Sequence, residues 1–184
     1  MRRIGWLLCG LLALGLASLP AAAEEYKKHP GYVDGSKLLS LADEGTSTVE
    51  VSLNGAILRA LLAFDPELKE IGAGLESIHA IVLDFDDDKN GRRARGGQLL
   101  LETETSLLGR KWQRITKIKD EGTNVSVLVQ SDEELIGGLV VLISGDDGEL
   151  VFANIAGDID LAAIAKLGEK LDIPGLEHLD EGDD

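Results

Sequence analysis

Apolar and polar residues alternate from Thr48 to Leu53, with Val49, Val51 and Leu53 on one face and Thr48, Glu50 and Ser52 on the other. That period of two predicts a half-buried strand. Asn54 stands where a helix cap belongs, and Ile57, Leu58, Leu61 and Leu62 recur at helical spacing over 55–63. Asp65-Pro66-Glu67 predicts a second helix start, closed by Gly72 and Gly74. The run from Ile78 to Phe85 is apolar on both faces, which predicts a strand inside the sheet rather than at its edge. A polar loop follows over 84–91. Leu100, Leu101, Glu104, Leu107 and Leu108 then fit a helix, with Gly96-Gly97 weakening its first turn.

From Trp112 the pattern changes to successive strands over 113–119, 125–130, 138–144 and 150–157. Their connections, Glu121-Gly122, Asp132-Glu133 and Asp146-Asp147-Gly148, are short enough to require antiparallel neighbours. Gly157 is expected to end the last strand, Asp158 to turn the chain, and Asp160 to cap a helix carrying the stripe Leu161, Ile164, Leu167 and Leu171. The order predicts an α+β fold: a mainly antiparallel or mixed sheet of about six strands covered by helices on one face, a two-layer sandwich.

Charge and composition alter this picture mainly at the ends. Arg2-Arg3, an apolar run from Ile4 to Leu19 and Pro20-Ala21-Ala22-Ala23 follow the order of a cleavable export signal, with cleavage between Ala23 and Glu24. The run is shorter than the ~20 apolar residues of a membrane-spanning helix, so no transmembrane anchor is expected after cleavage. Losing residues 1–23 removes Arg2 and Arg3 and no acid, which takes the formal charge from −15 to −17. Such a surface repels nucleic acid, which is excluded as a partner. Cys9, the sole cysteine, leaves with the signal, so stability must rest on burial. The organisation read from the sequence is a signal over 1–23, a polar lead-in over 24–36, a single domain over 37–176 and an acidic tail over 177–184. The product is periplasmic or released, and its oligomeric state stays open.

Candidate chemistry is sparse. Asp86, Asp88 and Asn90, followed by Gly91, match the first half of a calcium loop, but the position of the bidentate glutamate is Gly97, and Arg92, Arg93 and Arg95 crowd the site with positive charge. The arginines serve better as partners of Asp84–Asp88, or of Glu102 and Glu104. His29, His79 and His178 show no ligand spacing, and neither Gly-x-Ser-x-Gly nor Ser-x-x-Lys occurs. No catalytic residue and no cofactor is expected. His29, Pro30, Gly31 and Tyr32 form an aromatic-bearing turn outside the first strand, suited either to packing over the sheet or to contacting a partner.

His29-Pro30-Gly31-Tyr32-Val33-Asp34, the stretches 49–62 and 137–143, and Asn154-Ile155-Ala156-Gly157-Asp158-Ile159-Asp160-Leu161 leading to Leu167-Gly168-Glu169-Lys170-Leu171 resemble the DUF4252 family of exported bacterial proteins. Ala156 departs from the family pattern. The resemblance implies export, a soluble α+β domain and no established activity, and it supplies no catalytic residue. Three roles follow in order: a non-enzymatic interaction module of the bacterial envelope with an envelope protein as partner; a carrier of a small apolar ligand held between Leu58, Leu62, Ile164 and Leu167; and a hydrolase-like enzyme with an unrecognised site.

Overall fold

The computed structural model describes residues 25–64, 69, 72, 74–85, 91–132 and 135–159. The expected signal, the helix starting at Asp65, the loop residues Asp86, Asp88 and Asn90, the helix after Asp160 and the acidic tail lie outside the described residues.

Six described strands make one sheet: β1 (Thr46–Asn54), β2 (Leu75–Phe85), β3 (Trp112–Asp120), β4 (Thr123–Asp132), β5 (Leu135–Ser144) and β6 (Glu149–Ile159). Their order is β1-β2-β6-β5-β4-β3, and every neighbouring pair is antiparallel. Connectivity explains the order. The strands β3 to β6 form a meander, as their short loops require. A helix, Arg92–Leu108, carries the chain from β2 to the far edge, so that the meander returns to place β6 beside β2. The two-sided apolar pattern of β2 correctly located it in the interior of the sheet.

Alternation along the strands gives the sheet two apolar faces. Ile81, Leu83, Phe152, Leu142, Val140 and Leu128 point to one of them; Val127, Val129, Leu139, Val141 and Ile155 point to the other. The helix α1 (Gly55–Ala63) buries Leu58 and Leu62 on the second face, and α2 (Arg92–Leu108) buries Leu100 and Leu107 on the first. The described helices therefore lie on both faces, where the sequence predicted one. Two-sided burial is what the apolar runs on both faces of β2, β5 and β6 demand.

Three local expectations are corrected. Gly96-Gly97 does not weaken α2; the helix runs through both, and a Cβ on Gly96 would overlap the Leu150 side chain, so the glycine lets the helix axis approach the sheet. Strand β6 does not end at Gly157 but continues to Ile159, with the Asp158 amide donating to the Gly74 carbonyl at 2.8 Å. Val49 and Val51 on β1 remain 54% and 38% exposed, because β1 is a sheet edge and only Leu53, at the end where α1 begins, packs into the second cluster.

The lead-in adds two short 3₁₀ turns, Glu25–Lys28 and Ser36–Leu41, and between them the chain crosses the first face of the sheet. What holds it there is Asn154, wholly buried in β6. Its Oδ1 accepts the Val33 amide at 2.9 Å, while its Nδ2 donates to the carbonyls of Gly31 at 2.9 Å and Leu139 at 3.1 Å. The side-chain amide thus pairs with the crossing segment much as a neighbouring strand would. Gly31 and Gly138 touch at this crossing: a Cβ on Gly138 would lie 2.6 Å from the Gly31 Cα and 2.7 Å from Trp112. Small residues on both sides permit the contact.

Asn154→Leu keeps the branched outline of the side chain but leaves the Val33 amide and the Gly31 carbonyl buried without partners. We expect a loss of about 3 kcal/mol in urea unfolding, together with faster tryptic cleavage at Lys27, Lys28 or Lys37 under native conditions. Unchanged protease resistance would show that the crossing does not depend on this amide.

Candidate functional site

The crossing segment and α2 enclose a groove of about 510 Å³ on the first face. Val33, Leu38, Leu99 and Phe152 give it an apolar floor, and Tyr32 stands at its wall. Its charged lining is mixed: Asp34 and Glu102 are acidic, Lys37 and Arg110 basic. The Ser36 amide donates to Asp34 Oδ1 at 2.9 Å, and this bond holds the Asp34 carboxyl below the usual carboxylate range. Arg110, in the turn after α2, is anchored to that helix through the Ser106 hydroxyl at 3.0 Å. The walls are therefore positioned by local hydrogen bonds and by the Asn154 contacts, before any ligand arrives.

Within the interaction candidates the structure separates roles. Gly31 is buried at the sheet crossing, and Pro30 is exposed. His29 accepts the Gly31 amide through Nδ1 at 3.1 Å, which closes the turn. Tyr32 packs edge-on against Tyr26, with ring centroids 5.4 Å apart, and is the member that reaches the groove.

A second polar constellation lies farther along the same face. Glu104 occupies the buried stripe of α2 between Leu100 and Leu107 and is only 3% exposed. Its Oε1 accepts from Arg114 Nε at 2.7 Å and from the Ser126 hydroxyl at 2.9 Å, and its Oε2 accepts from Lys117 Nζ at 3.0 Å. Lys117 also donates to Ser126 Oγ at 2.7 Å. Burial alone would raise the Glu104 carboxyl; hydrogen bonds from Lys117 and Ser126, with the charges of Lys117 and Arg114, outweigh it and hold the carboxyl below its ordinary value. A bulge between Arg114 and Thr116 makes this possible. In a regular strand, residues three apart point to opposite faces, whereas the extra residue turns Arg114 and Lys117 to the same one.

Serine beside lysine invites comparison with a nucleophile and its base. The donor directions argue otherwise: Lys117 donates to Ser126, and Ser126 passes its own proton towards Glu104. Lys117 is thus a donor to the serine and not its base. This is a satisfied ionic cluster, and sequence reasoning missed it, although a glutamate inside the apolar stripe 100-104-107 was a visible sign of a buried acid.

Arg92 and Arg93 at the start of α2 take partners beyond the acids expected, of which Asp86 to Asp88 lie outside the described residues. Arg92 pairs with Asp43 and lies over the Phe85 ring at 5.4 Å; Arg93 donates to the carbonyls of Phe85, Asp146 and Asp147 at 2.9–3.0 Å, tying the helix to the β5–β6 hairpin. Glu104 takes Arg114 and Lys117 instead. His79 is buried on β2, edge-on to Phe152 at 5.9 Å and 3.6 Å from Glu50 Oε1. Among the described residues no group of three or more histidine, cysteine, aspartate or glutamate side chains could hold a metal ion. No described helix is long and apolar enough to cross a membrane. Of the proposed carrier lining, Leu58 and Leu62 are packed in the second core cluster, while Ile164 and Leu167 lie outside the described residues.

The profile of the family described as "Domain of unknown function (DUF4252)" matches residues 42–167. No curated protein matches the sequence significantly. Among solved structures, the extracellular domain of PknH from Mycobacterium tuberculosis is similar at 12% identity over 76% of this chain and 92% of that one, with a TM-score of 0.28. A likeness at that score carries no argument here.

Glu104 sets an acid limit on stability. Its carboxyl is depressed in the folded state, so its contribution is present above the unfolded value near 4.5 and is lost as pH falls through the lower folded value. Glu104→Gln should cost about 2 kcal/mol at neutral pH, with Arg114 and Lys117 left partly exposed but unpaired. The gap between wild type and variant should close as urea midpoints are followed from pH 7 to pH 3. A gap that is constant with pH would mean that the charge of Glu104 contributes nothing.

Proposed function

The chain belongs to the DUF4252 family, a domain family described as being of unknown function, and from that premise we propose that it is an exported, non-enzymatic binding module of the bacterial envelope. The observation that carries this reading is the preset groove between the lead-in and α2. It offers an apolar floor, an aromatic side chain and charges of both signs on walls fixed by Asn154 and Ser36. Those are the features of a surface that recognises a polypeptide segment: an apolar side chain for the floor, with flanking charges to set its direction.

The N-terminal charge-apolar-small pattern supports export by the general secretory route, with cleavage between Ala23 and Glu24. The strongly acidic surface favours a partner of basic or mixed charge and disfavours nucleic acid. Tyr32 is the member of the His29–Tyr32 turn suited to contacting the partner, while Gly31 fixes the turn in place.

Affinity capture of the tagged mature protein from gently crosslinked envelopes tests this reading. One enriched protein is expected, and Lys37→Glu combined with Arg110→Glu should reduce its recovery at least tenfold without lowering the thermal midpoint. Equal recovery with the groove variant would move the interface elsewhere. A stoichiometric small molecule with no enriched protein would favour the carrier role.

A further inference from the structure

A second cavity, of about 260 Å³, opens between α2 and the β3–β5 side of the sheet. It is separate from the groove beneath the lead-in, and no residue lines both. Its walls divide by chemistry. Leu100 and Leu101 of α2 and Leu142 of β5 are apolar; Lys117 and Ser126, with the Glu104 carboxylate between them, form a polar patch. Asn124 and Ser144, paired across β4 and β5, add neutral hydrogen-bonding groups. Gly97 completes the lining with open space where a side chain would stand.

The charge of this patch runs against that of the chain. Glu104 brings one negative charge, and the two cations it engages, Arg114 and Lys117, leave an excess of one positive charge. Lys119, the next residue of β3 on the same face, sits in register with Asn124 and adds another cation to this side of the sheet. Lys117 Nζ donates to both oxygens of one carboxylate, Glu104 Oε1 at 3.3 Å and Oε2 at 3.0 Å, and to Ser126 Oγ at 2.7 Å. A protein of net charge −15 thus places an excess of positive charge against a lined cavity. An anion balances that excess, and an apolar body satisfies the leucines opposite.

We propose that this cavity binds a small amphiphilic monocarboxylate, its carboxylate at Lys117 within reach of Asn124 and Ser144 and its apolar body against Leu100, Leu101 and Leu142. The volume equals that of about eight to nine waters at roughly 30 Å³ each, which sets the ligand at about ten non-hydrogen atoms. A long-chain acid is too large to be enclosed. Ligands of this size bind with Kd on the order of 10⁻⁴ M when head and body are both engaged.

Octanoate is the probe, titrated into the mature protein and followed by amide chemical shifts, with octanol, octylammonium and acetate as controls. Saturable shifts at Leu101, Lys117, Ser126 and Leu142 are expected with octanoate, and each control should bind at least tenfold more weakly. Gly97→Phe fills the cavity from a helix position where replacing glycine does not weaken folding, and it should abolish binding. Lys117→Gln should weaken it at least tenfold. The proposal is overturned if octanoate gives no saturable shifts at those residues. It is equally overturned if octanol, octylammonium or acetate matches octanoate, or if Gly97→Phe binds as well as wild type. None of these readouts depends on the envelope partner, so failure here leaves the groove reading untouched.

Discussion

One buried amide sets the conditions for the first face of this protein. Burying an asparagine inside a six-stranded sheet is costly unless every polar atom is paired, and Asn154 is paired on both sides: to Val33 and Gly31 of the crossing segment and to Leu139 of its own sheet. The amide cannot be satisfied unless the lead-in lies across β5 and β6. Conversely, the lead-in has no strand partner for its backbone unless the amide is there. From this mutual requirement follow the buried glycine contact at Gly31 and Gly138, the cover over Phe152, and the wall that carries Tyr32 and Asp34. A polar lead-in, by composition an accessory, is thereby part of the domain.

A second constraint acts at the other end of the same face. α2 carries the chain across the sheet to β3, and it does so with an acid, Glu104, in its buried stripe. That acid needs cations, and the bulge in β3 delivers two of them, Arg114 and Lys117, to a single face. Ion pairing here does more to position groups than to add stability, since both cations remain over a third exposed and solvent screens them. The result is a lysine and a serine held rigidly beside a cavity. Arg93 fixes the opposite end of α2 to the Phe85 carbonyl at the end of β2 and to the Asp146 and Asp147 carbonyls of the β5–β6 hairpin, and Arg92 pairs with Asp43, so the helix is anchored by cations at both ends.

The groove and the cavity, among the described residues, therefore lie on the face that α2 covers, on either side of that helix, one walled by the lead-in and one by β3 to β5. They differ in character. The groove is wide and of mixed charge, suited to a segment of another chain; the cavity is small, with an excess of positive charge and an apolar wall, suited to a small anion. The second face, under α1, is dominated by packed aliphatic side chains, with exposed Ile57, Leu61 and Phe64 on the outer side of that helix.

By itself the sequence determined the elements, because burial periodicity is local: β2 as an interior strand, the antiparallel meander from Trp112, α1, and α2 through its leucine stripe were all legible. The family was visible in the stretches 49–62 and 137–143 and around Asn154, which lie within the matched residues 42–167. What only the tertiary structure decided depends on contacts between residues far apart in the chain. Asn154 gained its meaning from Val33, 121 positions away. Asp43 and the hairpin carbonyls became partners of Arg92 and Arg93 because α2 enters over β2 with its first turn against β5–β6. Arg114 and Lys117 met Glu104 only because one extra residue in β3 reversed the alternation between them, and a bulge is set by the pairing of two strands, which no pattern within one strand reveals.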